Sequence, residues 1–226
     1  MTGLTNKQIR LASRPSGWVS DENFTLTEEE VAEPGEGEVL VRNVFMSVDP
    51  YMRGRMNDIK SYVPPFQIGE VLQASAVGQV VASRFEGVDK GDYVTGMLGW
   101  ENYTTCDGRT LRKVHPGLAP LSYHLGILGM PGMTAYVGLI TIAEAKAGEN
   151  VFVSAASGAV GSVVGQLAKI HGCNVAGSAG SDDKVRLLTD EFGYDAGFNY
   201  RKSTSLVGSV REACHGGIDE IGRAHV

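Results

Sequence analysis

The chain has 226 residues, 42% of them hydrophobic and 20% charged, which suits a globular protein with room for one large or two modest domains. A formal net charge of −6 leaves no broad basic footprint for nucleic acid. Cys106, Cys173 and Cys214 stand far apart, without a Cys-x-x-Cys pair, so neither a disulfide framework nor a four-thiolate zinc site is indicated. Met1 to Arg10 lacks the apolar run of a signal peptide, and no stretch of 18 apolar residues could span a membrane, so a cytoplasmic protein is expected.

In chain order, Pro34 to Gly37 reads as a turn feeding a strand over Glu38 to Val44. Ala76 to Ala82 reads as a strand with a glycine inside it. Gly87 to Asp92 reads as a turn, and Tyr93 to Thr95 resumes extended chain. These signals define a β domain over about residues 1–122. From Val151 the rhythm changes. Val151 to Val153 is a short apolar strand, and Gly158 to Ile170 is a helix with Val160, Val163, Val164, Leu167 and Ile170 at helical spacing. Asn174 to Gly177 makes the next strand. Ser181 to Phe192 is a helix capped by Ser181, with Asp182 and Asp183 in its first turn. Ala196 to Tyr200 is a third strand, and Ser203 to Ala213 a third helix. Alternating strand and helix predicts a parallel, doubly wound sheet over 123–219.

Ala155 to Gly161 sits where a strand hands over to an amphipathic helix. Ala156-Ser157-Gly158-Ala159-Val160-Gly161 is a G-x-G-x-x-G pattern with alanine in first place. Gly158 lets the backbone approach a pyrophosphate, Gly161 lets the helix pack close to the sheet, and the helix start offers free amides and positive dipole. Small residues also mark ordinary tight turns, but the strand–turn–helix setting favours a dinucleotide.

An NAD site places an acid about 20 residues further on, at the end of the second strand, for the ribose diol. Here that place holds Ser178, within Gly177 to Ser181. No carboxylate at the strand end would repel a 2′-phosphate. Lys184 can supply positive charge and Tyr200 a hydroxyl, so the residues point to NADPH. Asp182 and Asp183 run against this but fit the helix start.

Five segments in this order resemble the medium-chain dehydrogenase/reductases. They are Ser47 to Arg53, Gly129 to Tyr136, Ala155 to Gly161, Gly180 to Lys184, and Phe198 to Tyr200. The resemblance is to the zinc-free branch of leukotriene B4 dehydrogenases, prostaglandin reductases and plant alkenal double-bond reductases. It implies a GroES-like β domain (1–122) followed by a Rossmann domain (123–219), here incomplete. It implies NADPH as hydride donor and an α,β-unsaturated ketone or aldehyde as acceptor, reduced at its C=C bond through hydride transfer to the β-carbon. Residue by residue, Gly158, Ala159, Val160 and Gly161 would hold the pyrophosphate, while Gly180, Lys184 and Tyr200 would take the 2′-phosphate end. Pro50 and Tyr51 would line the nicotinamide and substrate cleft, with Tyr51 the catalytic candidate, and Thr134 would lie near the nicotinamide. A homodimer is the family expectation. A quinone reductase of the same superfamily and a non-catalytic NADPH-binding protein stay open as alternatives.

The zinc alcohol dehydrogenase pattern fits poorly, because it needs a cysteine near Ser47 and a Gly-His-Glu near Gly69-Glu70. His115, His124, His171, His215 and His225 lack ligand spacing, so no metal is expected. The end of the chain departs from the pattern. Gly216 to Asp219 should open a fourth apolar strand, yet Glu220 to Val226 reads as neither a buried strand nor a strand-to-helix loop. Residues 220–226 match translated read-through of a sequencing adapter, so the expectation is a non-native tail on a piece of a longer, catalytically complete protein.

Overall fold

The computed structural model describes residues 3–223. The chain divides into two compact units, Met1–Leu125 and Gly126–Val226.

The first unit is built from antiparallel strands. β1 (Thr5–Leu11) pairs with β2 (Phe24–Glu30) as a two-stranded ribbon. β3 (Glu38–Met46), β4 (Gln73–Ser83), β5 (Tyr93–Gly99), β6 (Tyr103–Asp107) and β7 (Arg112–Val114) form a five-stranded sheet in the order β6-β3-β4-β5-β7. The β3–β4 register slips between Leu40 and Val41 and between Asn43 and Phe45. Gly78 explains part of this: a Cβ there would come within 2.3 Å of Val41 Cγ1 and 2.6 Å of the Arg42 carbonyl oxygen. The glycine inside the strand thus permits a close crossing of β3, as interior strand glycines do. Val39, Val41, Val80, Val94 and Leu98 fill the core on one side of this sheet. A second cluster of Leu11, Met52, Met56, Phe66, Leu72 and Ala74 seats the short helix α1 (Tyr51–Arg55).

The second unit is α/β. α2 (Met130–Tyr136) continues into a wider π turn over Val137–Ile142. Then β8 (Asn150–Ser154), α3 (Gly161–Ile170), β9 (Asn174–Ala179), α4 (Asp182–Asp190), β10 (Ala196–Asn199), α5 (Leu206–Ala213) and β11 (Glu220–Arg223) follow. The strands are parallel in the order β10-β9-β8-β11. That is the 3-2-1-4 order of a Rossmann sheet, with its reversal between β8 and β11, where ligands bind beyond the carboxyl ends. Val151, Val153, Val163, Val164, Val175 and Leu188 form the core between sheet and helices.

Three sequence expectations change. α3 starts at Gly161, not Gly158, because the chain turns through Ala155–Val160 first, with the Gly158 amide bonded to the Ala155 carbonyl at 2.8 Å. The last helix starts at Leu206, where Ser205 caps it by accepting from the Gly208 amide at 3.1 Å. Glu220 to Arg223, read from sequence as no strand, forms β11 beside β8. Asp219 starts it: its amide donates to the Asn150 carbonyl at 3.0 Å and its carboxylate accepts from the Asn150 amide at 2.9 Å. Backbone pairing carries this strand, and Ile221 stays 67% exposed. Residues 224–226 of the expected tail lie outside the described residues.

Candidate dinucleotide site

Four segments of the second unit end at the same edge of its sheet: the loop after β8, Gly180 after β9, Tyr200 after β10, and the end of β11. The loop after β8 is the tightest. Ala155 takes φ +48°, a left-handed conformation that costs an alanine about 1–2 kcal/mol. Strain of this kind persists where the surroundings impose it. Here Ala156 is fully buried, and its amide donates to the Ser178 carbonyl at 2.9 Å. A Cβ on Gly161 would fall 2.6 Å from the Ala155 carbonyl oxygen and 2.8 Å from Ala156 Cα. One on Gly158 would meet the Ala155 oxygen at 3.1 Å. Backbone packed on backbone therefore requires glycine at 161 and makes a side chain at 158 a tight fit.

The result is a concave turn with donors to spare. The amides of Ser157, Ala159 and Val160 make no hydrogen bond among the described residues. Ala159 is exposed, and Gly158 and Val160 are half-buried. Three open N–H groups at the start of a ten-residue helix form a site for an anion such as a diphosphate.

At the neighbouring strand ends, Ser178 is buried and its carbonyl is used by the loop. Gly180 is crowded from above: a Cβ there would lie 3.1 Å from the Tyr200 hydroxyl and 3.6 Å from Arg201 Nε. Tyr200 is held by its amide on the Ala179 carbonyl at 3.1 Å, and the Arg201 guanidinium lies 6.0 Å from its ring centroid. Lys184 is exposed in the first turn of α4, whose cap Ser181 accepts from the Lys184 amide at 3.4 Å. Neither Lys184 nor Arg201 has an ion-pair partner among the described residues, which leaves both charges available. The acids that run against a phosphate site are already occupied. Asp182 accepts from Asn199 at 2.8 Å and from Lys202, which hold its carboxyl below the ordinary range, and Asp183 pairs with Arg186.

Thr134 and Val160 meet in a cleft of about 260 Å³, together with Leu139, Val164, Glu220 and Gly222. Thr134 thus lies beside the Ala155–Val160 loop although it is far from it in the sequence. Pro50 and Tyr51 belong to the first unit. Pro50 begins α1 and is exposed, while Tyr51 packs partly against the Leu11–Met56–Phe66 cluster. Burial, then the neighbouring Asp49 carboxylate, raise the pKa of the Tyr51 phenol, so its hydroxyl keeps its proton and can donate. Among the described residues no cluster of three or more His, Cys, Asp or Glu side chains is placed to hold a metal, and no helix is long and apolar enough to cross a membrane.

Two residues of this region escape sequence reasoning. Arg201 follows the tyrosine assigned to the 2′-phosphate and carried a usable signal as the next cation along. Tyr194 carried none. It is 3% exposed, its hydroxyl donates to the Gly161 carbonyl at 2.8 Å, and its ring fills the space that side chains on Gly165 and Gly177 would need.

Residues 7–114 match the family model described as the N-terminal domain of oxidoreductase, and residues 159–221 match that described as zinc-binding dehydrogenase. The NADPH-dependent curcumin reductase of Escherichia coli is 45% identical over 95% of this chain and 62% of its own length. The 2-alkenal reductase (NADP(+)-dependent) of Nicotiana tabacum is 44% identical over 96% of this chain and 64% of its own. The crystal structure of CurA in complex with NADPH from Vibrio vulnificus superposes with a TM-score of 0.89 at 42% identity, covering 95% of this chain and 64% of that one. The chain therefore spans less than two thirds of the length of these relatives.

Proposed function

The chain belongs to the medium-chain dehydrogenase/reductase family, and from that premise we propose that the protein carrying it reduces the C=C bond of α,β-unsaturated ketones or aldehydes with NADPH. The observation that supports the cofactor half is the strand-end edge itself. A glycine cradle with three open amides lies next to a Gly180 pocket that has two unpaired cations, a tyrosine hydroxyl and no free carboxylate. The residues fit the group: Gly158 to Gly161 bind the diphosphate through backbone N–H, and Gly180 leaves room for a ribose phosphate that Lys184, Tyr200 and Arg201 hold. Thr134 and Val160 border the cleft that would take the nicotinamide ring.

Bound there, the cofactor supplies a hydride to the β-carbon of the activated alkene. The chain's own contribution is placement and polarity. The family resemblance assigns the charge developing on the substrate's carbonyl oxygen to Tyr51 of the first unit, whose raised phenol pKa keeps it a hydrogen-bond donor. Cytoplasmic placement and a homodimer belong to the same reading; sedimentation of the full gene product tests the latter.

The substrate half leans on the relatives, one named for a 2-alkenal and one for curcumin. The test is NADPH oxidation by the full gene product, followed at its absorbance maximum with an alkenal, an enone and a quinone. Turnover of the alkenal or enone with a saturated carbonyl product is expected. Turnover of the quinone alone would replace this reading with a quinone reductase, and tight NADPH binding without any turnover would replace it with a non-catalytic binder.

A further inference from the structure

We propose that Tyr194 is a positioning residue for cofactor binding: it sets the shape of the phosphate loop through the Gly161 carbonyl while touching no ligand itself. This rests on the dinucleotide reading of the loop.

The first turn of α3 must stand at a fixed distance from the end of β8 for the loop's open amides to converge. Backbone-on-backbone packing at Gly161 limits how close the two can come, since its Cα already faces Ala155 and Ala156. Nothing in that contact stops the helix from moving away. Tyr194 supplies the opposing restraint. It lies between α4 and β10, anchored by its amide on the Leu188 carbonyl at 3.0 Å. From there the side chain reaches under the loop and donates to the Gly161 carbonyl at 2.8 Å, with the Gly165 amide as its second polar neighbour.

The ring is fixed in turn. A Cβ on Gly165 would come within 2.1 Å of it, and one on Gly177 within 2.7 Å of both the ring and Ala156 Cβ. Three small residues from three elements, Ala156, Gly165 and Gly177, thus make the slot that aims one phenol at one carbonyl. A core aromatic needs no such aim. Its hydroxyl could be absent without loss of packing, whereas a buried hydroxyl that bonds to the loop's own helix turn constrains the loop.

The test is Tyr194→Phe in the 226-residue chain, which keeps the ring and removes the bond, with Val151→Ala, fully buried at the far end of β8, as a core control. NADPH and NADH affinities are read by titration of nucleotide fluorescence, and folding by thermal unfolding. Tyr194→Phe is expected to weaken NADPH and NADH alike by about 5- to 10-fold, the equivalent of a hydrogen bond of about 1–1.4 kcal/mol. Val151→Ala should lower the melting temperature and leave both affinities within twofold. Unchanged affinities in Tyr194→Phe, or equal losses in Val151→Ala, would overturn the positioning role. A wild-type chain that binds neither nucleotide would overturn the dinucleotide reading instead, so the two failures are told apart.

Discussion

Gly161 is the residue on which the loop turns. A methyl group there meets the Ala155 carbonyl oxygen at 2.6 Å and the Ala156 backbone at 2.8 Å, both fixed main chain. Gly161→Ala is therefore expected to cost about 1–3 kcal/mol in thermal unfolding, the usual range for overpacking, and to abolish measurable nucleotide binding. Tyr194 adds a pH signature. Burial raises its pKa above the ordinary 10.0. The folded state therefore keeps a proton that the unfolded chain loses above about pH 10, and the stabilisation present below that pH is lost as pH rises. Denaturant unfolding at pH 8 and pH 11 should show wild type losing stability relative to Tyr194→Phe at the higher value; parallel losses would contradict the assignment. The spacing of Gly158 and Gly161 was legible in sequence because each glycine answers a local backbone demand. Tyr194 was not, because its partners come from three separate elements and no periodicity links them.

At the level of elements, we assign the proposed cofactor preference to the ends of β9 and β10 and the start of α4. Lys184 and Arg201 are the unpaired cations there. Their joint replacement by alanine should weaken NADPH by about 10- to 100-fold, the scale of one or two charge-assisted hydrogen bonds, and leave NADH within twofold. Asp182 is quiet only while Asn199 and Lys202 hold it. Lys202→Met should free that carboxylate and lower the NADPH-to-NADH affinity ratio several-fold, read by the same titration. The strands and helices of this unit were legible from the alternation of apolar runs, and Ser181 from its place before two acids. Boundaries were not. The helix pattern in Val160–Ile170 runs unbroken into the loop, so only the turn geometry at Ala155–Val160 sets where α3 begins. β11 was missed because Glu220–Arg223 has one large apolar residue, and its place comes from the Asp219–Asn150 pair.

For the whole chain, the two-unit division and the β10-β9-β8-β11 order place every proposed phosphate contact in one unit. The same unit carries an exposed apolar groove of about 750 Å³ lined by Phe152, Leu206, Val207, Val210, Ile218 and Ile221, and among the described residues β11 pairs with β8 alone. An open strand edge beside such a surface favours self-association. Sedimentation should show the 226-residue chain associating as concentration rises, and Val207→Lys should reduce it. Cofactor binding also adds to folding by mass action, about 2.7 kcal/mol at a hundredfold excess over the dissociation constant. NADPH should thus raise the melting temperature of this chain more than NADH does. Calorimetric titration of the 226-residue chain with NADPH and NADH side by side decides whether the Ala155–Gly161 loop works together with a strand edge that reads the 2′-phosphate. NADPH is expected to bind at least about tenfold more tightly, the worth of one charged contact to the extra phosphate; equal affinities, or a preference for NADH, would rule that coupling out.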